Sequence, residues 1–151
     1  WVSSKLTLQP DGGLKSVGTG WDQLAESPTE AIPADGDFCF SFQLLQASTN
    51  NDIMAGVRFQ PWTGAYFDRG IYISESCNLY YQRDVSKVCT SAFSVQSGTC
   101  MLVEIQRKGG QLVVAVDGTT ELSEAAPDPL VPTVLIYNPS AEYVRSALSW
   151  K

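Results

Sequence analysis

The stretch from Gly98 to Asn138 constrains what this chain can fold into more than any other. Met101, Val103 and Ile105 alternate with Leu102 and Glu104, and Leu112, Val114 and Val116 resume the same period before Asp117-Gly118 ends it. Successive side chains of a strand point to opposite faces, so a period of two marks a half-buried strand. The polar corner Arg107-Lys108-Gly109-Gly110 joins the two runs, and a Gly-Gly corner between alternating runs predicts a hairpin. Glu121, Glu124 and Asp128 follow among Pro127 and Pro129 and read as a solvated acidic loop. A third apolar run, Val131 to Tyr137, is stopped by Asn138-Pro139. These runs form the skeleton of one side of an antiparallel β-sandwich.

The rest of the chain extends that skeleton. Lys5-Leu6-Thr7-Leu8, a turn at Pro10-Asp11-Gly12-Gly13 and Leu14 to Val17 predict an opening hairpin. Gly20 to Asp37 is irregular, with room for one helical turn over Asp22 to Ala25, because Pro28 and Pro33 stop anything longer. Phe38 to Gln46 reads as a strand with Phe38, Phe40, Phe42 and Leu44 on one face and Cys39, Ser41 and Gln43 on the other. Ile53 to Gln60 is the next, and Gly56 within it marks a bulge or the close approach of a neighbour. Ile71 to Ile73 and Leu79 to Tyr81 are short strands; a weaker one starts at Val88, with another piece around Phe93, and Tyr143 to Trp150 closes the chain. About ten short strands spaced ~8–12 residues apart, with little helix, predict an all-β fold: a single antiparallel two-sheet β-sandwich of the jelly-roll, concanavalin-like kind. One domain spans residues 1–151, long enough to bury a core without staples, and the start at Trp1 reads as a piece of a longer chain.

Composition excludes several functions. A net charge of −6 without a basic stripe argues against nucleic acid and anionic membrane surfaces as partners, and no apolar run is long enough to span a bilayer. The absence of histidine removes the commonest general base and the usual nucleophile triads. A hydrolase built on this sandwich needs two carboxylates set across a groove, and no strand carries Glu-x-Asp or Glu-x-Glu; Glu104 is a lone acid best read as a rim residue. No enzyme is expected on these grounds. Cys39, Cys77, Cys89 and Cys100 form no Cys-x-x-Cys pair, so buried or half-buried thiols are the plain reading. Their even number also permits two disulfides, with Cys77–Cys89 the first pair to consider because both flank a turn around Arg83 and Asp84. The only Asn-x-Ser acceptor, at Asn138, is blocked by Pro139, which favours an intracellular or bacterial origin.

The loop Pro61 to Gly70, PWTGAYFDRG, concentrates the aromatic and guanidinium groups that dominate binding hot spots. Trp62, Tyr66, Phe67 and Arg69 are its candidates, and Tyr80 and Arg83 add a second cluster. Two readings stand for the loop: surface recognition, or Trp62 and Phe67 folding back as a plug over the end of the core; both can hold together, with Tyr66 and Arg69 outward. Asp35, Asp37, Asn50, Asn51 and Asp52 carry oxygens that suit either Ca²⁺ or ordinary turns. No cofactor is expected, with calcium as the alternative.

In order, these pieces resemble the SPRY (B30.2-like) branch of the concanavalin-like sandwiches. The resemblance rests on Asp37-FCFSFQLLQ followed by Asn51-Asp52-IMAGV, then Gly98-TCMLVEIQRKGGQLVVAVDG and Leu130-VPTVLIYNPS. It implies a non-enzymatic recognition module that binds a protein or peptide through loops at one end of the sandwich. The alternatives are a lectin-like carbohydrate-binding sandwich, calcium-dependent or not, and a structural subunit of a larger assembly.

Overall fold

The computed structural model describes residues 6–10, 13–18, 24–26, 31–45, 53–61, 67–73, 77–81, 84–90, 100–136 and 143–150. At residues 16, 24–26, 42, 44, 45, 73, 84, 100, 101 and 143–150 it describes the backbone alone. One sheet has seven strands in the spatial order β1 (Leu6–Leu8), β2 (Gly13–Ser16), β13 (Tyr143–Trp150), β4 (Phe38–Leu45), β9 (Cys100–Lys108), β10 (Gln111–Val116) and β11 (Thr119–Ala125). The other has six: β3 (Leu24–Glu26), β12 (Leu130–Ile136), β5 (Ile53–Phe59), β6 (Arg69–Ile73), β7 (Cys77–Tyr81) and β8 (Asp84–Val88). Neighbours in both sheets pair antiparallel, and no helix occurs among the described residues, as the strand pattern predicts.

Period-two patterning builds the core directly. Phe40, Val103, Ile105, Leu112, Val114 and Val116 line the inner face of the seven-stranded sheet. They meet Ile53, Ala55, Val57, Ile71, Leu79, Leu130, Val134 and Ile136 from the other. Burial of this apolar area is the main term holding the two layers together. The register Phe40↔Ile105 and Val114↔Ile105 carries the inward face across three strands without a slip.

Two hairpins set the frame of the seven-stranded sheet. Gly109 and Gly110 both take positive φ, 56° and 77°, in the two-residue turn joining β9 and β10. Asp117 and Gly118, at 47° and 80°, make a second such turn into β11. Turns with positive φ at both central residues match the twist of the flanking strands. The Asp117 Oδ1 accepts the Leu102 N–H at 2.9 Å and its own N–H donates to the Leu102 carbonyl at 2.8 Å, which ties this turn to β9.

The second turn overturns one expectation. Thr119 to Ala125 is a strand, β11, and not a solvated loop: Glu121 is buried and Leu122 packs against the core. Its polar composition hid it, because a strand at the edge of a sheet, paired along one side, can form with little apolar alternation. Leu24 to Glu26 is likewise a strand pairing with β12 instead of a helical turn, and β8 begins at Asp84. The piece expected around Phe93 lies outside the described residues.

Arg107 departs most from its sequence reading. It is not a corner residue but the last inward position of β9, opposite Phe38, and only 1% exposed. Its Nε donates to the Gly36 carbonyl at 3.0 Å, Nη1 to those of Asp128 and Ala126 at 2.7 and 3.4 Å, and Nη2 to that of Pro33. Burial pulls its pKa down, and the charges of Asp37 and Asp35 push back. One guanidinium thus ties the segment before β4 and the turn before β12 to the end of the core. Replacing Arg107 with Leu strands these carbonyls; urea unfolding should show a loss of ~3 kcal/mol, the usual cost of breaking a buried charged network.

Candidate functional site

The structure sends Phe67 and Arg69, from the described end of the aromatic loop, to opposite faces of the six-stranded sheet. The Gln60–Pro61 peptide is cis, and the Gln60 N–H donates to the Pro129 carbonyl at 2.8 Å. Trp62 and Tyr66 lie outside the described residues, as does Arg83. Phe67 is fully buried and folds back onto the outer face of the sheet rather than over the end of the core. Gly56 and Gly70 stand opposite each other on β5 and β6 beneath it. A Cβ at Gly56 would come within 2.2 Å of the Arg69 carbonyl oxygen and 2.8 Å of the Phe67 ring, and one at Gly70 within 2.3 Å of the Ala55 oxygen. The mid-strand glycine therefore marks close approach. The Phe67 ring meets Tyr80 at 4.4 Å between centroids, and Met54 and Leu135 complete the cluster, with Tyr72 packed alongside. Phe67 and Tyr80, proposed from sequence as partner contacts, here serve packing.

Arg69 and Tyr81 point the other way, into the edge of the sandwich. Arg69 Nε forms an ion pair with Glu124, its Nη1 donates to the Asp68 carbonyl at 2.8 Å, and its guanidinium stacks 3.4 Å from the Tyr81 ring centroid. Tyr81 Oη donates to the other Glu124 oxygen at 3.2 Å. Asp68 accepts the Phe59 N–H at 2.7 Å, which fixes the start of β6 against β5. Sequence reasoning gave Arg69 an outward, partner-facing role; in the structure it is 8% exposed and spends its donors on the protein itself. Nearby, the buried Glu121 accepts both the N–H and the hydroxyl of Thr90, at 2.9 and 3.1 Å, and lies 3.5 Å from Lys87 Nζ. Glu124→Ala leaves the Arg69 charge nearly buried without its carboxylate and should cost ~2–3 kcal/mol in urea unfolding. Much of that should return in the Arg69→Met, Glu124→Ala double variant, which measures the coupling.

Among the described residues, the least covered part of the six-stranded sheet is the β6–β7–β8 side of its outer face. Register places Tyr72, Asn78 and Val88 in one row across the three strands, and Tyr80 and Val85 in the next. Tyr72 and Asn78 are half-buried, whereas Val88 and Val85 are 67% and 41% exposed. An aromatic ring, an amide and an apolar rim on a flat sheet can stack against a ring and hydrogen-bond its substituents. Sequence reasoning passed over Tyr72 and Asn78, although Tyr72 directly follows the buried Ile71, so alternation alone sends it to the other face. The outer face of the seven-stranded sheet is different: its described side chains include Ser41, Gln43, Glu104, Gln106, Gln111 and Ser123.

The oxygen-rich turn residues come together only in part. Asp37 Oδ1 accepts the Gly109 N–H at 2.9 Å, a turn role, and Asp35 is exposed; Asn50, Asn51 and Asp52 lie outside the described residues. Among the described residues no group of three acidic, cysteine or histidine side chains is placed to hold a metal ion, and no helix is long and apolar enough to cross a membrane.

No protein-family model and no curated protein sequence matches the chain. Solved structures do. Alginate lyase A1-II′ of polysaccharide lyase family 7, in complex with a product (GGG), matches with a TM-score of 0.63 at 9% identity, over 100% of this chain and 85% of the other. Alginate lyase Aly36B in complex with an alginate trisaccharide matches at 0.60 and 13%, over 100% and 86%. The alginate lyase from Corynebacterium sp. matches at 0.60 and 11%, over 99% and 83%. At such identities the likeness is one of fold, and it extends over the whole sandwich.

These matches correct the SPRY resemblance: the chain is similar to a different branch of the concanavalin-like sandwiches. Alternating strands, a polar corner and a strand ending in Asp-Gly encode hairpins, which the branches share, and not a site. The expectation of a non-enzymatic protein-binding module falls with the resemblance that implied it, since the full-length fold matches are enzymes acting on a polysaccharide. Paired carboxylates are a requirement of glycoside hydrolysis; a lyase breaks its bond by elimination, so their absence from these strands does not exclude an enzyme.

Proposed function

We propose that this chain is a polysaccharide-active protein that lays a linear saccharide, of the alginate kind, across the outer face of its six-stranded sheet. The observation that carries this reading is the fold match, over the whole of this chain and 82–86% of the others, to alginate lyases that hold oligosaccharides. The row Tyr72, Asn78 and Val88 supports it locally, because sugar rings stack on aromatic faces and their hydroxyls pair with amides. Carbohydrate was the alternative reading of the sequence, and calcium dependence goes with it only as a condition to vary.

Elimination from a uronate requires a base for the proton beside the carboxylate and an acid for the departing oxygen. One related lyase was captured with substrate after a histidine and a tyrosine had been replaced by asparagine and phenylalanine. This chain contains no histidine. Any cleavage here therefore leans on tyrosine, and Tyr72 is the partly accessible titratable side chain among the described residues of that row. The net charge of −6 opposes a polyanion at long range, so the contact depends on local stacking and hydrogen bonds.

The test is retardation of the protein in alginate-containing gels, run beside a neutral glucan and with or without calcium, together with ultraviolet detection of unsaturated product. Retardation by alginate is expected, and Tyr72→Ala should abolish it. Tyr72→Phe should keep binding within a few-fold but lower product formation by ~10²-fold or more, the usual contribution of a proton-transfer group. Absence of both retardation and product with alginate overturns the reading. Product formation unchanged in Tyr72→Phe removes Tyr72 from the chemistry.

A further inference from the structure

We infer that Cys77 and Cys89 form a disulfide that staples the outer strand of the six-stranded sheet to its neighbour. The two residues continue the β7–β8 ladder. Asn78 pairs with Val88, which sets Cys77 directly opposite Cys89, and the Cys89 N–H donates to the Cys77 carbonyl at 3.0 Å. Directly opposed residues in an antiparallel pair have Cα atoms ~4.5–5.5 Å apart, within the ~4.4–6.8 Å span of natural disulfides. Both side chains are buried among core residues, at 2% and 6% exposure, and both stand in the structure as free thiols.

The surroundings hold this geometry in place. Residues on both sides of Cys89 are fastened to one carboxylate, Lys87 by its ammonium and Thr90 by N–H and hydroxyl, all on Glu121 of the opposite sheet. In the folded chain these contacts hold Cys89 across from Cys77, where a disulfide between them fits. The other two cysteines have no such relation to each other. Cys39 pairs with Gln106 and Cys100 with Leu45, six positions along the same ladder, which is ~20 Å of strand. The staple has a mechanical purpose as well: β8 is the edge of its sheet and exposes Val85 and Val88, and a short covalent loop keeps such an edge from peeling away.

Formation needs an oxidant, and a small disulfide such as oxidised glutathione suffices. A thiolate attacks the glutathione disulfide and releases one reduced glutathione. The second thiol, as thiolate, then displaces the other glutathione from the mixed disulfide. Two protein S–H bonds give way to one S–S bond, and the glutathione disulfide is reduced to two thiols. In the folded chain the neighbouring Cys89 thiol, and then burial, push the Cys77 thiol well above its ordinary range. Exchange is thus slow once the sandwich has closed, and the bond is made during folding.

The experiment refolds the whole chain from the reduced, unfolded state in glutathione buffers of graded ratio, followed by alkylation and non-reducing peptide mapping. A single Cys77–Cys89 linked peptide is expected, with Cys39 and Cys100 alkylated, and a thermal midpoint several degrees above that of the reduced chain. Cys39→Ala should keep the linked peptide and the response to reductant, and Cys89→Ala should lose both. A refolded chain with native circular dichroism and both thiols alkylated at every ratio overturns the inference. So does a link that includes Cys39 or Cys100, or a Cys39→Ala variant without the Cys77–Cys89 peptide.

Discussion

Closure of the sandwich along its β8–β11 side depends on two carboxylates of one strand. Glu124 takes the Arg69 guanidinium and the Tyr81 hydroxyl, and Glu121 takes Thr90 and Lys87. Both acids sit on β11 of the seven-stranded sheet, and all four partners belong to or follow strands of the other. Apolar burial draws two sheets together without fixing how they are offset; charged, directional contacts at the rim supply that. The bulge between β10 and β11 matters here. Register jumps from Val114↔Leu122 to Ala115↔Thr120, so Glu121 is the extra residue, freed from the pleat to turn inward.

The six-stranded sheet is packed on both faces over much of its width. Its inner face carries the shared core, and Met54, Phe67, Tyr80 and Leu135 make a second cluster on the outside. The opposed glycines Gly56 and Gly70 make this arrangement workable, because the ring of Phe67 rests where two Cβ atoms would otherwise stand. Among the described residues the packing leaves the β6–β7–β8 side as the more accessible part of that face, which is why the candidate surface narrows to Tyr72, Asn78 and Val88.

The sites read from sequence and those in the structure differ for a consistent reason. Phe67, Arg69 and Tyr80 were singled out by residue type, and the types that make good interface anchors are the ones that pack, stack and pair well inside a protein. Glu121 and Glu124 were set aside because acidic residues near prolines resemble a solvated loop, yet Asp117-Gly118 is a strong two-residue hairpin signal and implied a strand after it. Tyr72 was legible from alternation alone. The pairing of Arg69 with Glu124 was not, since 55 residues separate them and no local pattern relates one to the other.

Local sequence is enough for the all-β sandwich, the Gly109-Gly110 hairpin and the alternating faces of β4, β9 and β10. Those properties follow from period-two hydrophobicity and turn chemistry, both of which are local. The tertiary structure alone sets which branch of the sandwich folds the chain resembles, and that Arg107 and the two glutamates of β11 join distant segments. Each of these depends on residues far apart in the chain meeting in space, and the physics that selects them, burial of charge and fit of side chains, acts only after the sheets have come together.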